Sequence, residues 1–212
     1  EAKFCLYLER PFCYTIRCFY DSTGRTKRKG GSAMRLNTAR LTLTEWEPAM
    51  AAALCALSQD PENRRFLPDE VFETPEEAEA AIRELLRCRR AGGGAQVLAV
   101  LQKDGTLVGH VELCPLKEPA GAWEAGYHVG TPYRGRGYAA EALAAFLPAM
   151  LPALGLREVF GICETANIAS CRVLERCGFR LCAEKPAVLY GRPAIMRKYG
   201  YTLPETAEEE KA

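Results

Sequence analysis

The sequence predicts an α/β fold, and three stretches carry that prediction. Residues 96–101 and 107–113 are apolar, strand-forming runs joined through Asp104-Gly105, a strong hairpin signal. Thr74-Pro75-Glu76-Glu77 sets a hydroxyl, a proline and two acids in the order that opens a helix. Residues 127–143 run from a strand end through a basic glycine loop into the first turns of another helix.

Taken in order, residues 1–33 read differently from the rest of the chain. Phe4, Leu6 and Leu8 alternate with Cys5, Tyr7 and Glu9, and residues 12–20 are aromatic and β-branched, so two short strands are expected around Pro11. A basic, glycine-containing linker runs from Asp21 to Ser32. The segment could be a natural extension, a partner-binding arm or a stretch carried over from protein expression. The division is therefore 1–33 and a main domain over 34–212.

From Leu36 the pattern becomes regular. Residues 40–44 alternate as a half-buried strand, and Thr44 is expected to cap a helix that begins at Glu47-Pro48, with Met50, Leu54 and Leu57 on one face. Residues 60–68 read as a loop or short turn. The helix opened by Thr74 buries Ala78, Ala81, Ile82, Leu85 and Leu86 and ends at Gly92-Gly93-Gly94. A third strand, 122–129, leads into the glycine loop, and a helix starts near Gly137 that Pro148 and Pro152 should kink or end. A strand at 158–163, a helix over 167–177 closed by Gly178, and a strand from Phe179 come next. A hairpin turning at Gly191-Arg192-Pro193 leads to a last strand, 194–202, and the acidic tail 205–212 should fray.

Composition narrows the class. The chain has 212 residues, enough for one sizeable core, and is 48% apolar and 26% charged. No apolar run is long enough to span a bilayer, and the N-terminus lacks the order of a secretory signal. Ten cysteines are scattered without a Cys-x-x-Cys pair, and there are two histidines, which argues against a zinc site or a disulfide framework. A reducing cytoplasm and no metal are expected. Residues 1–35 carry a net charge of +5 and the remainder −4. Such a body suits a small-molecule or cationic substrate better than a nucleic acid.

The glycine loop points to an anion. Gly135 and Gly137 remove Cβ atoms where the backbone turns and a ligand comes close. The helix after the loop presents unpaired N–H groups and the positive end of its dipole, and Arg134 and Arg136 add two guanidinium groups. A phosphate or pyrophosphate fits. Neither the P-loop pattern nor a dinucleotide fingerprint occurs here.

Tyr133-Arg134-Gly135-Arg136-Gly137-Tyr138-Ala139 resembles the acyl-CoA pyrophosphate loop of the GNAT N-acetyltransferases, whose pattern is Gln/Arg-x-x-Gly-x-Gly/Ala. Asn167-Ile168-Ala169-Ser170-Cys171-Arg172-Val173-Leu174-Glu175-Arg176-Cys177-Gly178-Phe179 resembles the Asn-x-x-Ser-x-x-Val-Leu-Glu-Lys-x-Gly-Phe signature of the branch containing the ribosomal-protein N-terminal acetyltransferases. The resemblance covers about residues 36–203. It implies a GNAT fold with a mixed, mostly antiparallel sheet splayed at its middle, acetyl-CoA as co-substrate, and transfer to a primary amine. A protein N-terminal α-amine is the branch's suggestion; an antibiotic or polyamine amine, or a non-catalytic acyl-CoA-binding module, are the alternatives. A homodimer is left open.

The same resemblance distributes roles. The thioester carbonyl would meet a backbone N–H at a strand bulge falling at His128-Val129, and the pyrophosphate would lie on Arg134 to Ala139. Asn167 would bond the pantetheine arm, and Ser170, one turn on, would protonate the departing thiolate. Asn167 could equally cap its helix. Glu124 is the candidate base, with Glu164 competing; His128 could also act as a base, but a histidine here is more often an orienting or packing residue. Tyr190 could supplement Ser170, because the tyrosine that some GNAT enzymes carry seven residues after the asparagine is Leu174 here.

Overall fold

The structure is a computed structural model and describes residues 34–91, 94–117 and 119–204. Residues 1–33 and the tail from 205, with the readings made of them, lie outside the described residues. The elements are β1 (Arg35–Asn37), β2 (Leu41–Thr44), α1 (Ala51–Ser58), α2 (Pro61–Phe66), α3 (Pro75–Arg90), β3 (Gln96–Gln102), β4 (Leu107–Pro115) and β5 (Trp123–Val129). The second half adds α4 (Tyr138–Ala153), β6 (Glu158–Glu164), α5 (Ile168–Arg176), β7 (Arg180–Leu189) and β8 (Arg192–Thr202). Short 3-10 turns at Pro48–Met50, Pro68–Glu70 and Thr131–Tyr133 join some of them.

Local chemistry accounts for most boundaries. Thr74 accepts from the Glu77 N–H at 3.2 Å, while the Glu77 carboxylate accepts from the Glu73 N–H at 2.8 Å, so α3 starts where predicted. Thr44 stays in β2 and caps nothing; Glu47 precedes the 3-10 turn without a side-chain cap. Residues 60–68 are not a loop: Asp60 accepts from the N–H groups of Glu62 and Asn63 and nucleates α2. The hairpin of β7 and β8 turns one residue earlier than expected, at Tyr190-Gly191. The largest departure is α4, which runs unbroken through Pro148 and Pro152. Pro148 and the residue four before it, Ala144, are both exposed, so water can satisfy the carbonyl that loses its donor. On the other side Leu143, Phe146, Leu147, Met150 and Leu151 are at most 1% exposed and hold the helix on the sheet.

All eight strands form one sheet in the order β1-β2-β3-β4-β5-β6-β8-β7. Neighbours are antiparallel except β5 and β6, which are parallel. α4 and α5 cover one face, where Leu98, Val100, Val111 and Leu113 meet Phe146 and Leu147. α1 and α3 cover the other, where Val97 and Ala99 meet Leu54, Ile82 and Leu85. β3 is thus apolar on both faces, which is why it reads as a continuous run. No helix among the described residues is long and apolar enough to cross a membrane.

Both histidines lie between the sheet and the α1–α3 layer. His110 and His128 are cross-strand partners with ring centroids 5.6 Å apart, and each is 7% exposed. Burial pushes the His110 imidazole below its usual value, and burial, then His110 and Arg134, bring His128 down to about 3. The unfolded chain takes up these protons near pH 6.5, so the folded state binds fewer protons below that pH. Their contribution to stability is therefore complete above pH 6.5 and is lost as pH falls toward the folded values. Urea unfolding should show stability falling between pH 7 and 5, approaching about 1.4 kcal/mol per pH unit for each histidine. His128→Gln should flatten that slope; an unchanged slope in the variant would place His128 in contact with solvent protons.

Candidate active site

β5 and β6 pair at one position, Glu124↔Phe160, and then part. The divergence needs no bulge: β4 and β5 stay in continuous register from Pro115↔Trp123 to Gly109↔Val129, which corrects the bulge expected at His128-Val129. Ladder alternation says which groups face the gap. The Gly130 N–H donates to the Val108 carbonyl at 2.9 Å, so Val108/Gly130 is a hydrogen-bonded pair, as are His110/His128 and Glu112/Gly126. The N–H and C=O groups of Tyr127 and Val129 therefore point away from β4, into the gap. His128 directs its own toward β4. Val129 is thus the member of the predicted pair whose N–H faces the gap. A cleft of about 1800 Å³ opens there.

The glycine loop closes one end of this cleft. Gly135 (φ +75°) and Gly137 (φ +78°) both adopt the left-handed region. Gly137 stands at the N-cap of α4 without a side-chain cap, and the first helical bond is Glu141 N–H to the Gly137 carbonyl, at 3.0 Å. The N–H groups of Tyr138 and Ala139 precede that bond and belong to the uncapped first turn. The Tyr138 side chain is engaged within the fold: its ring is buried and its hydroxyl accepts from Gln102 at 2.8 Å.

Arg134 is placed differently from the prediction. Its guanidinium turns back into the fold, bonding the Val129 carbonyl (2.8 Å), Asp60 (2.9 Å), Asn63 (3.1 Å) and Glu62. It fastens the loop to α2, and the residue also lines the cleft. Arg136 is exposed, and its carbonyl accepts from Arg40 at 2.9 Å. Arg40 in turn holds Glu141 on the first turn of α4, at 2.6 Å, so the β1–β2 turn buttresses the loop.

Across the gap, Asn167 is the N-cap of α5, its side chain accepting from the Ser170 N–H at 3.0 Å. The capping reading of Asn167 holds, and its side chain lies on the cleft wall. Ser170 lies one turn on, its Oγ 2.9 Å from the Tyr127 hydroxyl, which also donates to the Ser170 carbonyl at 2.8 Å. Tyr127 is largely buried, and burial pushes its phenol well above the usual value. The position of Leu174 carries no hydroxyl, yet a tyrosine still reaches Ser170 from the opposite strand. Tyr190, with φ +49°, sits at the β7–β8 turn on the edge of the cleft.

The reverse face of β5 is acidic. Glu124 stands at the closed end of the gap, where the strands still pair. Glu164 is 7% exposed and bonded at 2.7 and 2.6 Å to both terminal nitrogens of Arg192, which holds its carboxyl below the usual range. Its carboxylate is thus the partner in an ion pair with Arg192, at the cleft wall. His128 Nε2 lies 2.8 Å from the Asn63 amide nitrogen. Arg134 fixes the carbonyl end of that amide, so the nitrogen donates and Nε2 accepts. Burial and this bond favour the neutral His128 imidazole. Glu70, His110 and Glu112 each bring one donor atom within 4.8 Å of the others.

Sequence reasoning missed Tyr127, Asn63 and Glu112 as site residues. The readable signal for Glu112 was His110 and Glu112 at alternate positions in an otherwise apolar strand.

Comparison with known proteins supplies the family. Residues 40–180 match the model of the acetyltransferase (GNAT) domain. The chain is similar to the uncharacterized N-acetyltransferase YnaD of Bacillus subtilis (strain 168), with 28% identity over 69% of this chain and 83% of that protein. In structure it is similar to RimL, the ribosomal L7/L12 alpha-N-protein acetyltransferase in complex with coenzyme A (TM-score 0.68, 18% identity, 80% of this chain and 98% of that one). It is also similar to the microcin C7 self-immunity acetyltransferase MccE in complex with acetyl-CoA and AMP (TM-score 0.66, 17% identity, 78% and 94%). With the splayed sheet, the glycine loop and the family match in hand, the chain belongs to the GNAT acetyltransferase family.

Proposed function

We propose that the protein transfers an acetyl group from acetyl-CoA to a primary amine. The observation that carries this reading is the gap between β5 and β6, with strand N–H groups facing into it, a left-handed glycine loop at one end and the Ser170–Tyr127 hydroxyl pair on its wall. The pantetheine arm would lie between the strands like a third strand, its amides meeting backbone groups of Tyr127 and Val129. The pyrophosphate would rest on the N–H groups of Tyr138 and Ala139, where the helix dipole favours negative charge. The Val129 N–H suits the thioester oxygen as charge develops on it.

The chemistry then needs a neutral amine on one side and a proton for sulfur on the other. Ser170, hydrogen-bonded to Tyr127, is placed to donate that proton. The amine's proton leaves to a carboxylate on the reverse face of β5, the face of Glu124. A protein N-terminal α-amine is the acceptor we favour, from the likeness to RimL. The likeness to MccE puts small-molecule amines in the same screen.

An acceptor screen with acetyl-CoA, read by thiol release, tests the activity; acetyl-CoA binding without turnover on any amine would leave an acyl-CoA-binding module. Gly135→Val and Gly137→Val force a β-branched residue into left-handed backbone at the loop. Calorimetry should show at least a roughly tenfold loss of acetyl-CoA affinity with the fold intact. Unchanged affinity would remove the pyrophosphate from this loop.

Ser170→Ala should lower kcat by roughly 10–100-fold with acetyl-CoA affinity little changed, because the lost donor matters mainly in the transition state. Raising the pH supplies no acid, so it should not rescue this variant. A Ser170→Ala enzyme with the wild-type rate would show that sulfur takes its proton elsewhere.

A further inference from the structure

We propose that Glu112, which lies in no motif, is the carboxylate that holds the acceptor's ammonium group and takes its proton, in place of Glu124. The inference rests on the reading of acetyl transfer to an amine. Where the gap opens decides between the two residues. Glu124 is still paired with Phe160, at the closed end of the gap. Ser170 meets Tyr127, so the sulfur must lie level with Tyr127, three residues further along β5.

Glu112 reaches that level from the neighbouring strand. Its cross-strand partner is Gly126, and the space a Gly126 side chain would fill is occupied by Glu112: a Cβ there would stand 2.4 Å from Oε1 and 2.8 Å from Cγ. The carboxylate therefore lies across β5 beside Tyr127, on the opposite sheet face from the tyrosine ring. Gly126 is the residue that permits this, and its backbone needs no left-handed angle.

The surroundings of Glu112 suit a cation. Glu70, His110 and Glu112 bring their donor atoms within 4.8 Å of one another, with His110 Nε2 3.5 Å from Glu70. Burial lowers the His110 pKa while the Glu112 charge opposes that shift, so the cluster sets two carboxyl groups beside an imidazole that favours its neutral form. An ammonium group donating three hydrogen bonds of about 2.8 Å in tetrahedral directions needs acceptors about 4.6 Å apart. Glu70 and Glu112 both line the cleft, as does Glu124, which is a diagonal neighbour of Glu112 in the ladder.

In the transfer step Glu112 accepts one proton from the ammonium, and the freed lone pair forms the C–N bond to the thioester carbon. The C–S bond breaks with its electron pair leaving on sulfur, and the thiolate takes the Ser170 proton. The second nitrogen proton leaves through solvent and restores Ser170, while Glu112 releases its own to water.

Steady-state thiol release by the full chain with an amine that the wild type acetylates tests this. Glu112→Gln keeps the shape and should lower kcat/KM for the amine by about 100-fold at pH 7, the defect shrinking as pH rises and the amine becomes neutral on its own. Acetyl-CoA affinity should stay within about twofold. Glu124→Gln should lose less than about tenfold. Gly126→Ala retains the carboxylate but displaces the Glu112 side chain from Cγ outward, and should lose activity in the same direction with acetyl-CoA affinity within about twofold and a lowered melting temperature. Glu112→Gln at the wild-type rate, with the loss falling on Glu124→Gln, would overturn the assignment. So would loss of wild-type activity to a chelator with recovery on a divalent cation, since the cluster would then hold metal. A wild type that releases no thiol with any amine overturns the transfer reading and this inference together.

Discussion

The site depends on two parallel strands that pair at one residue and then separate. In a closed sheet the N–H and C=O groups of Tyr127 and the N–H of Val129 would be bonded to β6, and no ligand could reach them; the Val129 C=O is already held by Arg134. Leaving such groups unpaired in a dry interior costs about 1–3 kcal/mol each. An open cleft avoids that cost, because water takes the bonds until a ligand with its own amides replaces it. The strands can part because each is held by its other neighbour: β5 by an unbroken ladder to β4 and β6 by seven residue pairs to β8.

Charged side chains around the glycine loop keep the open end in shape. Arg134 ties the glycine loop to α2 through Asp60, Glu62 and Asn63, and Asn63 passes the constraint to His128. Arg40 and Glu141 do the same from the β1–β2 turn. The hydrogen bonds to charged groups in these networks are worth about 1.5–3 kcal/mol each where they are sheltered from water. Their gain is geometric: the N–H groups that open α4 are fixed before a phosphate arrives, so binding spends less on ordering the loop.

Much of this was legible in the sequence because it is local. Asp104-Gly105, the Thr74 cap and the two motif stretches act within a few residues, and each appears where its chemistry places it. The misses share a different cause. α4 survives Pro148 because its buried stripe and its exposed carbonyl lie on opposite sides, a fact of tertiary packing. The partners of Arg134 are equally hidden in a linear reading, since only the fold brings Asp60, Glu62 and Asn63 within its reach. Tyr127 opens the 127–143 stretch, but its bond to Ser170 spans 43 positions. Glu112 gains its meaning from the missing side chain of Gly126 on another strand.

A crystal structure with coenzyme A bound tests the central claim most directly. The account predicts the pantetheine arm between β5 and β6, its amides bonded to the backbone of Tyr127 or Val129, with the pyrophosphate against the N–H groups of Tyr138 and Ala139. Coenzyme A bound outside that gap, or β5 and β6 paired beyond Glu124 and Phe160 in the complex, would contradict it.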